Sequence, residues 1–379
     1  MAYTTIDDPS VYFQTVLWSG DNSDSRNITN DGNSDLQPDW VWIKSRNGSG
    51  NGYSHNVHDT SRGVDSNINK SLFPDVTDTE GGGDSVTTSA QLGGVSAMLS
   101  DGFTVKEGNT DDARYVNKSS NTYVAWQWKA NGGSTTTNDA SATSVGTIDS
   151  VYQANTTAGF SIVTHTGTGS AGTIAHGLGA VPKWMLIKRR TSSTENWCNY
   201  HASNTSAPAT DVFFLNNTEA TADTDSVWND TDPTSTVFSV KDGGAVNESG
   251  GTYVTYLFAE KQGYSKFGSY TGNANADGPF VYLGFKPAFV IIKNTSAAKD
   301  WTMWDTTRYS NNVQNVQLFP NLSNAEDSPS TSTMLDMLSN GFKIRGTNDK
   351  INGSGNTLLY MAFAENPFVS SEGVPVTAR

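Results

Sequence analysis

Two histidines three residues apart, in His55-x-x-His58, are the first feature of this chain that could do chemistry, because imidazole titrates near neutrality and ligates metals. Their register argues against that role. Aligned with Trp197-x-x-Tyr200 and Trp301-x-x-Trp304, they take positions that aromatic rings fill elsewhere in the same chain. His165, His176 and His201 have no acidic residue at a recurring offset, and Gly-x-Ser-x-Gly is absent, so no hydrolytic constellation assembles. Acidic loops at Asp21 to Asp24, Asp75 to Glu80 and Asp223 to Asp232 offer hard oxygen ligands of the kind calcium takes, yet none has the twelve-residue EF-hand spacing. Solvated loops are the expected reading and calcium the alternative. No catalytic residue, cofactor site or metal site is expected. The candidate ligand contacts are Trp197, Tyr200, Trp301 and Trp304. Strand alternation puts Trp197 and Trp301 on one face and Tyr200 and Trp304 on the other, so one pair is core and the other is free to stack on sugar faces.

These rings belong to an internal repeat. Trp40-Val41-Trp42-Ile43-Lys44, Trp184-Met185-Leu186-Ile187-Lys188 and Phe289-Val290-Ile291-Ile292-Lys293 each follow a proline by two residues. Asn56-Val57-His58-Asp59 and Thr302-Met303-Trp304-Asp305 come next, with Cys198-Asn199-Tyr200-His201 as a divergent middle version. Leu72-Phe73-Pro74 matches Leu318-Phe319-Pro320, and each copy closes on Tyr123-Val124-Ala125-Trp126, Tyr253-Val254-Thr255-Tyr256 or Leu358-Leu359-Tyr360-Met361. The proline and the closing threonine keep the same spacing in copies two and three. The first copy is longer inside, chiefly around Asp75 to Gly94.

Short runs rich in Val, Ile, Thr, Tyr, Phe and Trp, bounded by Gly, Asn, Asp and Ser, predict strands, and helix is scarce. The fold expected is all-β, with three tandem antiparallel β-sandwich, jelly-roll-like domains. The division is an N-terminal arm at 1–11, repeats at 12–130, 159–263 and 264–379, and a Gly/Ser/Thr/Asn linker at 131–158 that reads as flexible or extended. Deleting residues 1–158 is then expected to leave a folded two-domain fragment. In each lysine-ending strand both parities are apolar, which predicts cover on both faces. Leu335, Leu338 and Phe342 fit one short helical turn near 331–339.

Lys+Arg 24 against Asp+Glu 38 gives a net charge of −14, which argues against nucleic acid as a partner. The hydrophobic fraction is only 35%, but 10 Trp, 14 Tyr and 16 Phe bring enough buried area for folding. One cysteine, Cys198, excludes an intrachain disulfide framework. The opening MAYTTIDDPS has no secretory pattern and no run of apolar residues is long enough to span a bilayer, so synthesis in a cytoplasm without membrane insertion is expected.

Tyr264-Ser265-Lys266-Phe267-Gly268-Ser269-Tyr270-Thr271-Gly272-Asn273, Gly278-Pro279-Phe280-Val281-Tyr282 and Ala362-Phe363-Ala364-Glu365-Asn366-Pro367-Phe368 resemble a domain family of unknown function in structural proteins of marine tailed bacteriophages. His176-Gly177-Leu178-Gly179, Asp232-Pro233-Thr234-Ser235 and Tyr123-Val124-Ala125-Trp126 extend the resemblance over nearly the whole chain. It implies a virion protein made in the host cytoplasm, in a tail fibre or related appendage, non-enzymatic, joined to other virion proteins through Met1 to Ser19 or a domain face. The expected role is attachment to a host-surface glycan or protein. The alternatives are a capsid or tail decoration without a receptor role and, behind it, a glycan-degrading tail enzyme. Phage appendages are commonly symmetric, and subunit contacts would cover the extra apolar faces, so a homotrimer is the preferred assembly.

Overall fold

The computed structural model describes residues 2–48, 53–65, 68–81, 93–108, 116–327 and 329–375. Residues 82–92, part of the first copy's extra length, lie outside them. The chain is all-β, with several antiparallel sheets and only short helical turns such as Ala140–Thr143. The three lysine-ending segments form strands Trp40–Ser45, Trp184–Arg189 and Phe285–Asn294. Each pairs on one side with a closing strand, Thr122–Trp128, Thr252–Phe258 or Thr357–Pro367. On the other side each pairs with Asn56–Asp59, Cys198–His201 or Thr302–Asp305. Beyond the closing strands lie Phe13–Ser19, Phe160–Thr166 and Ser265–Thr271. One four-strand order therefore occurs three times.

Alternation splits each core strand between two cores. Val41 and Ile43 pack with Ile28, Phe103 and Val105 of a small sheet; Met185 and Ile187 pack with Ile174 and Phe238; Val290 and Ile292 pack with Val281, Phe342 and Leu335. Trp40 and Trp42, Trp184 and Leu186, Phe289 and Ile291 point the other way, into one cluster common to all three segments. There Trp40 stacks on Tyr256 at 4.5 Å between centroids, Trp128 meets Phe363 at 5.5 Å, and Phe258 meets Phe363 at 5.6 Å. Such pairs contribute about 0.5–1.5 kcal/mol each beyond their area. The second face of every core strand is thus covered inside the chain, which removes the apolar surface that argued for a homotrimer.

Polar contacts run around this cluster in one direction. Trp197 Nε1 donates to Phe73 O and Trp301 Nε1 to Phe214 O, both at 2.9 Å. His55 Nε2 closes the ring to Phe319 O, also at 2.9 Å. The strand-end lysines follow the same path: Lys188 Nζ to Thr77 O, Lys293 Nζ to Thr218 O and Lys44 Nζ to Ser323 O. Glu80 joins Arg62 and Arg190, and Glu326 joins Arg308 and Arg46. Buried Asp59 accepts from Arg62 Nε at 2.5 Å and from Tyr256 OH at 2.6 Å. Burial raises the Asp59 carboxyl, and the Arg62 charge and hydrogen bonds outweigh that, leaving it below its ordinary value.

Two expectations change. Residues 131–158, read as a flexible or extended link, are extended and ordered into strands Thr136–Asn138 and Ser150–Asn155, which continue the second large sheet past Phe160–Thr166. Gly132 at φ 62 and Gly133 at φ 78 turn the backbone so that both N–H groups, with that of Ala130, reach the Asp39 carboxylate. Gln153 Nε2 holds Thr60 Oγ1 and Ser61 Oγ at 2.6 Å. The helical turn near 331–339 is instead the strand Leu335–Leu338, because Leu335 and Met337 enter the core at period two and Asp336 does not.

Residues 159–379 alone would expose Trp184, Phe258, Phe289 and Phe363, so this fragment should aggregate rather than fold; a monomer with a cooperative thermal transition would refute the shared core. Arg62→Met leaves Asp59 buried without its cation and should cost about 3–5 kcal/mol in urea unfolding. A loss below about 1 kcal/mol, the range of an exposed pair, would show that the charge is solvated.

Candidate functional site

The four rings proposed as ligand contacts are interior. Trp197, Tyr200, Trp301 and Trp304 are all buried, so neither parity presents a sugar platform. The reason is the layering: Trp197 and Trp301 lie in the common core and Tyr200 and Trp304 in the cores under the small sheets. Tyr200 OH donates to Asp232 Oδ1 at 3.0 Å. Cys198 is buried, and burial pushes its thiol up to about 12, which leaves no thiolate at neutral pH.

All five histidines are buried and held neutral. His55 Nδ1 accepts from Trp42 Nε1 at 2.8 Å, which places its proton on Nε2, facing Phe319 O. His176 and His201 follow the same pattern, taking Leu178 N and Ser203 N on Nδ1. A second proton would turn each acceptor into a donor aimed at a donor. Burial lowers His58 to about 3 and His165, His176 and His201 to about 4, and takes His55 well below its ordinary value. Their partners are backbone carbonyls and ring or main-chain N–H groups, and among the described residues no carboxylate is hydrogen-bonded to a histidine ring.

Several carboxylates of the acidic loops are taken up by protein partners. Glu80 is in the arginine network, Asp225 pairs with Lys241 at 2.5 Å, Asp21 takes Ser23 and Asn117, and Asp232 takes Tyr200. Among the described residues no group of three or more His, Cys, Asp or Glu side chains is placed to hold a metal ion.

Among the described residues the exposed rings are Phe280, Tyr282 and Tyr309, and the first two share one strand. Phe280 and Tyr282 flank buried Val281 in the edge strand Phe280–Tyr282 and are 47% and 48% exposed. Val281 lies opposite Phe342, Ile174 opposite Phe238 and Ile28 opposite Phe103, so the three segments can be compared by pairing. At the two flanking positions the other segments carry Asn27 and Thr29, and Thr173 and Ala175. The signal available in the sequence was this break in the repeat. Phe280 lies opposite Lys343 and Tyr282 opposite Gly341. Lys266 Nζ stands 5.3 Å from the Tyr282 ring centroid. Tyr3 OH donates to Gly284 O at 2.8 Å and lies 3.4 Å from Tyr282 OH. Tyr3 and Gln262 also line an open depression of about 590 Å³ together with Ser371 and Glu372. A second open depression is lined by Thr137, Thr147, Thr164, Thr166 and Asp149.

The class these features define is an all-β protein with interior histidines and, among the described residues, an exposed aromatic strand. The chain belongs to the family described as Domain of unknown function (DUF7483), which matches residues 8–367. No curated protein and no solved structure matches it.

The histidines set an acid limit. Their folded values lie below the unfolded value near 6.5, so the unfolded chain takes up the protons, and stability that is complete above pH 6.5 falls as pH drops toward 4. Each contributes on the order of 1–3 kcal/mol. Burial raises the Asp75 carboxyl, which works in the opposite direction and softens the fall. Melting temperature should decline as pH falls from 6.5 toward 4.5; a flat profile over that interval would mean the histidines are protonated in the fold.

Proposed function

We propose that this chain is a non-enzymatic structural protein of a phage virion, part of a tail fibre or related appendage, that contacts the host surface. The observation that carries the reading is the contrast between an interior that locks away every histidine and the cysteine and a surface that displays Phe280 and Tyr282 on a sheet edge. Such a body presents contacts rather than reacting groups. The resemblance to structural proteins of marine tailed phages supports its place on a particle. Three tandem jelly-roll-like β-sandwich repeats are the architecture we infer, supported by the recurring strand order and by a small sheet packed against each large one.

The partners proposed are other virion proteins and a host-surface glycan or protein, with nucleic acid disfavoured by the net charge of −14. No helix among the described residues is long and apolar enough to cross a membrane. Residues 4–19 are tied to the rest of the chain, with Thr4 Oγ1 donating to Gln262 O and Phe13–Ser19 paired to Thr122–Trp128, so they are not a free tether. A homotrimer would have to form through surfaces other than the core strands.

An antibody against this chain should label a tail tip or fibre on the particle and block adsorption to host cells. Label spread over the capsid, with adsorption untouched, would replace the attachment role by decoration.

A further inference from the structure

We propose that Phe280 and Tyr282 form a carbohydrate-stacking platform, with Tyr3, Gln262 and Lys266 as the polar groups that orient the sugar. This names the ligand class and the residues for the attachment role above and rests on that reading only for its biological setting.

Residues i and i+2 of a strand project from the same face about 7 Å apart. Val281 between them is buried, which pins the strand and aims both rings outward. A ring face exposed to water attracts the polarised C–H groups of a pyranose while the sugar hydroxyls stay solvated, so binding does not require a closed apolar pocket. Gly341 lies opposite Tyr282, and a side chain there would bring its Cβ to 2.0 Å from Val281 O, so close backbone packing keeps this position glycine and holds the strand in place.

The polar groups stand at the rim. Lys266 sits against the Tyr282 ring, and among the described residues no carboxylate lies within ion-pair distance of it. Gln262 is exposed and Tyr3 half-buried beside the open depression. On a chain with net charge −14, a lysine without a carboxylate neighbour next to exposed rings complements a sugar bearing a carboxylate.

Size argues for a glycan over a protein. Two half-exposed rings offer roughly 200 Å² between them. A stable protein interface needs about 800 Å² on each partner. Asn27 with Thr29, and Thr173 with Ala175, leave the other two segments without a platform, so one site per chain is expected.

The test uses the full chain against immobilised dextran, chitin oligosaccharide, alginate and bacterial lipopolysaccharide, read by surface plasmon resonance. Binding to at least one of them, weakened tenfold or more in F280S/Y282S with an unchanged melting temperature, is the expected result. Lys266→Met should weaken alginate more than dextran. Lipopolysaccharide binding without binding to the free polysaccharides assigns the sugar source to the cell envelope. Absence of binding across the panel, or binding unchanged in F280S/Y282S, overturns the platform. Particle labelling is scored separately: a labelled tail with no glycan binding defeats the platform alone, and glycan binding with an unlabelled particle defeats the virion reading alone.

Discussion

A strand that is apolar on both faces must be covered twice, and this requirement organises the whole chain. Trp40–Ser45, Trp184–Arg189 and Phe285–Asn294 each have one face under a small sheet and the other in a cluster they share. With low overall hydrophobicity, large rings have to supply most of that shared area, and Trp40, Trp128, Tyr256, Phe258, Phe289 and Phe363 do so. A core built from three segments cannot be completed by two, so stability is a property of the full ring.

The joints between segments show how closely polar groups are matched around that core. Tyr256 OH of the second segment bonds Asp59 of the first, and Trp126 Nε1 of the first bonds Asp305 of the third. At the remaining joint the carboxylate is replaced by His201 and the donor by Met361, and His201 Nε2 turns to the backbone of Tyr360 at 3.3 Å. Arg190 with Glu80 and Arg46 with Glu326 are likewise replaced by Thr295 and Thr221, which keep only the backbone bond, at 3.0 Å. Charged partners are present or absent together, as the cost of an unpaired buried ion requires.

Much of this was legible in sequence because the repeat is carried by buried residues, whose types are fixed by packing. The lysine-ending strands, their closing strands and the all-β class follow from pattern alone. The order inside 131–158 did not, since Ser150–Asn155 is packed mainly through Ser150 and Gln153, and its anchoring is by hydrogen bonds from polar residues that also compose flexible linkers. Leu335 to Phe342 satisfied a helical spacing over too few residues to separate it from an alternating strand. Of Trp197, Tyr200, Trp301 and Trp304 one pair was expected in the core and both pairs are there, because parity identifies two faces but not whether a second layer covers each.

The same reasoning explains why Phe280 and Tyr282 stood hidden in the sequence. Aromatic residues are so frequent in this chain that two more in a short strand read as core. Only the burial of Val281 between them fixes their direction, and only comparison with Asn27, Thr29, Thr173 and Ala175 shows that the other segments keep those positions small or polar. An outward ring in one copy of three gains nothing from the shared core, because Val281 already fills the inward position. Its exposure carries a cost in solubility that the matched positions avoid, and a surface contact made once per chain is the physical circumstance in which that cost is offset.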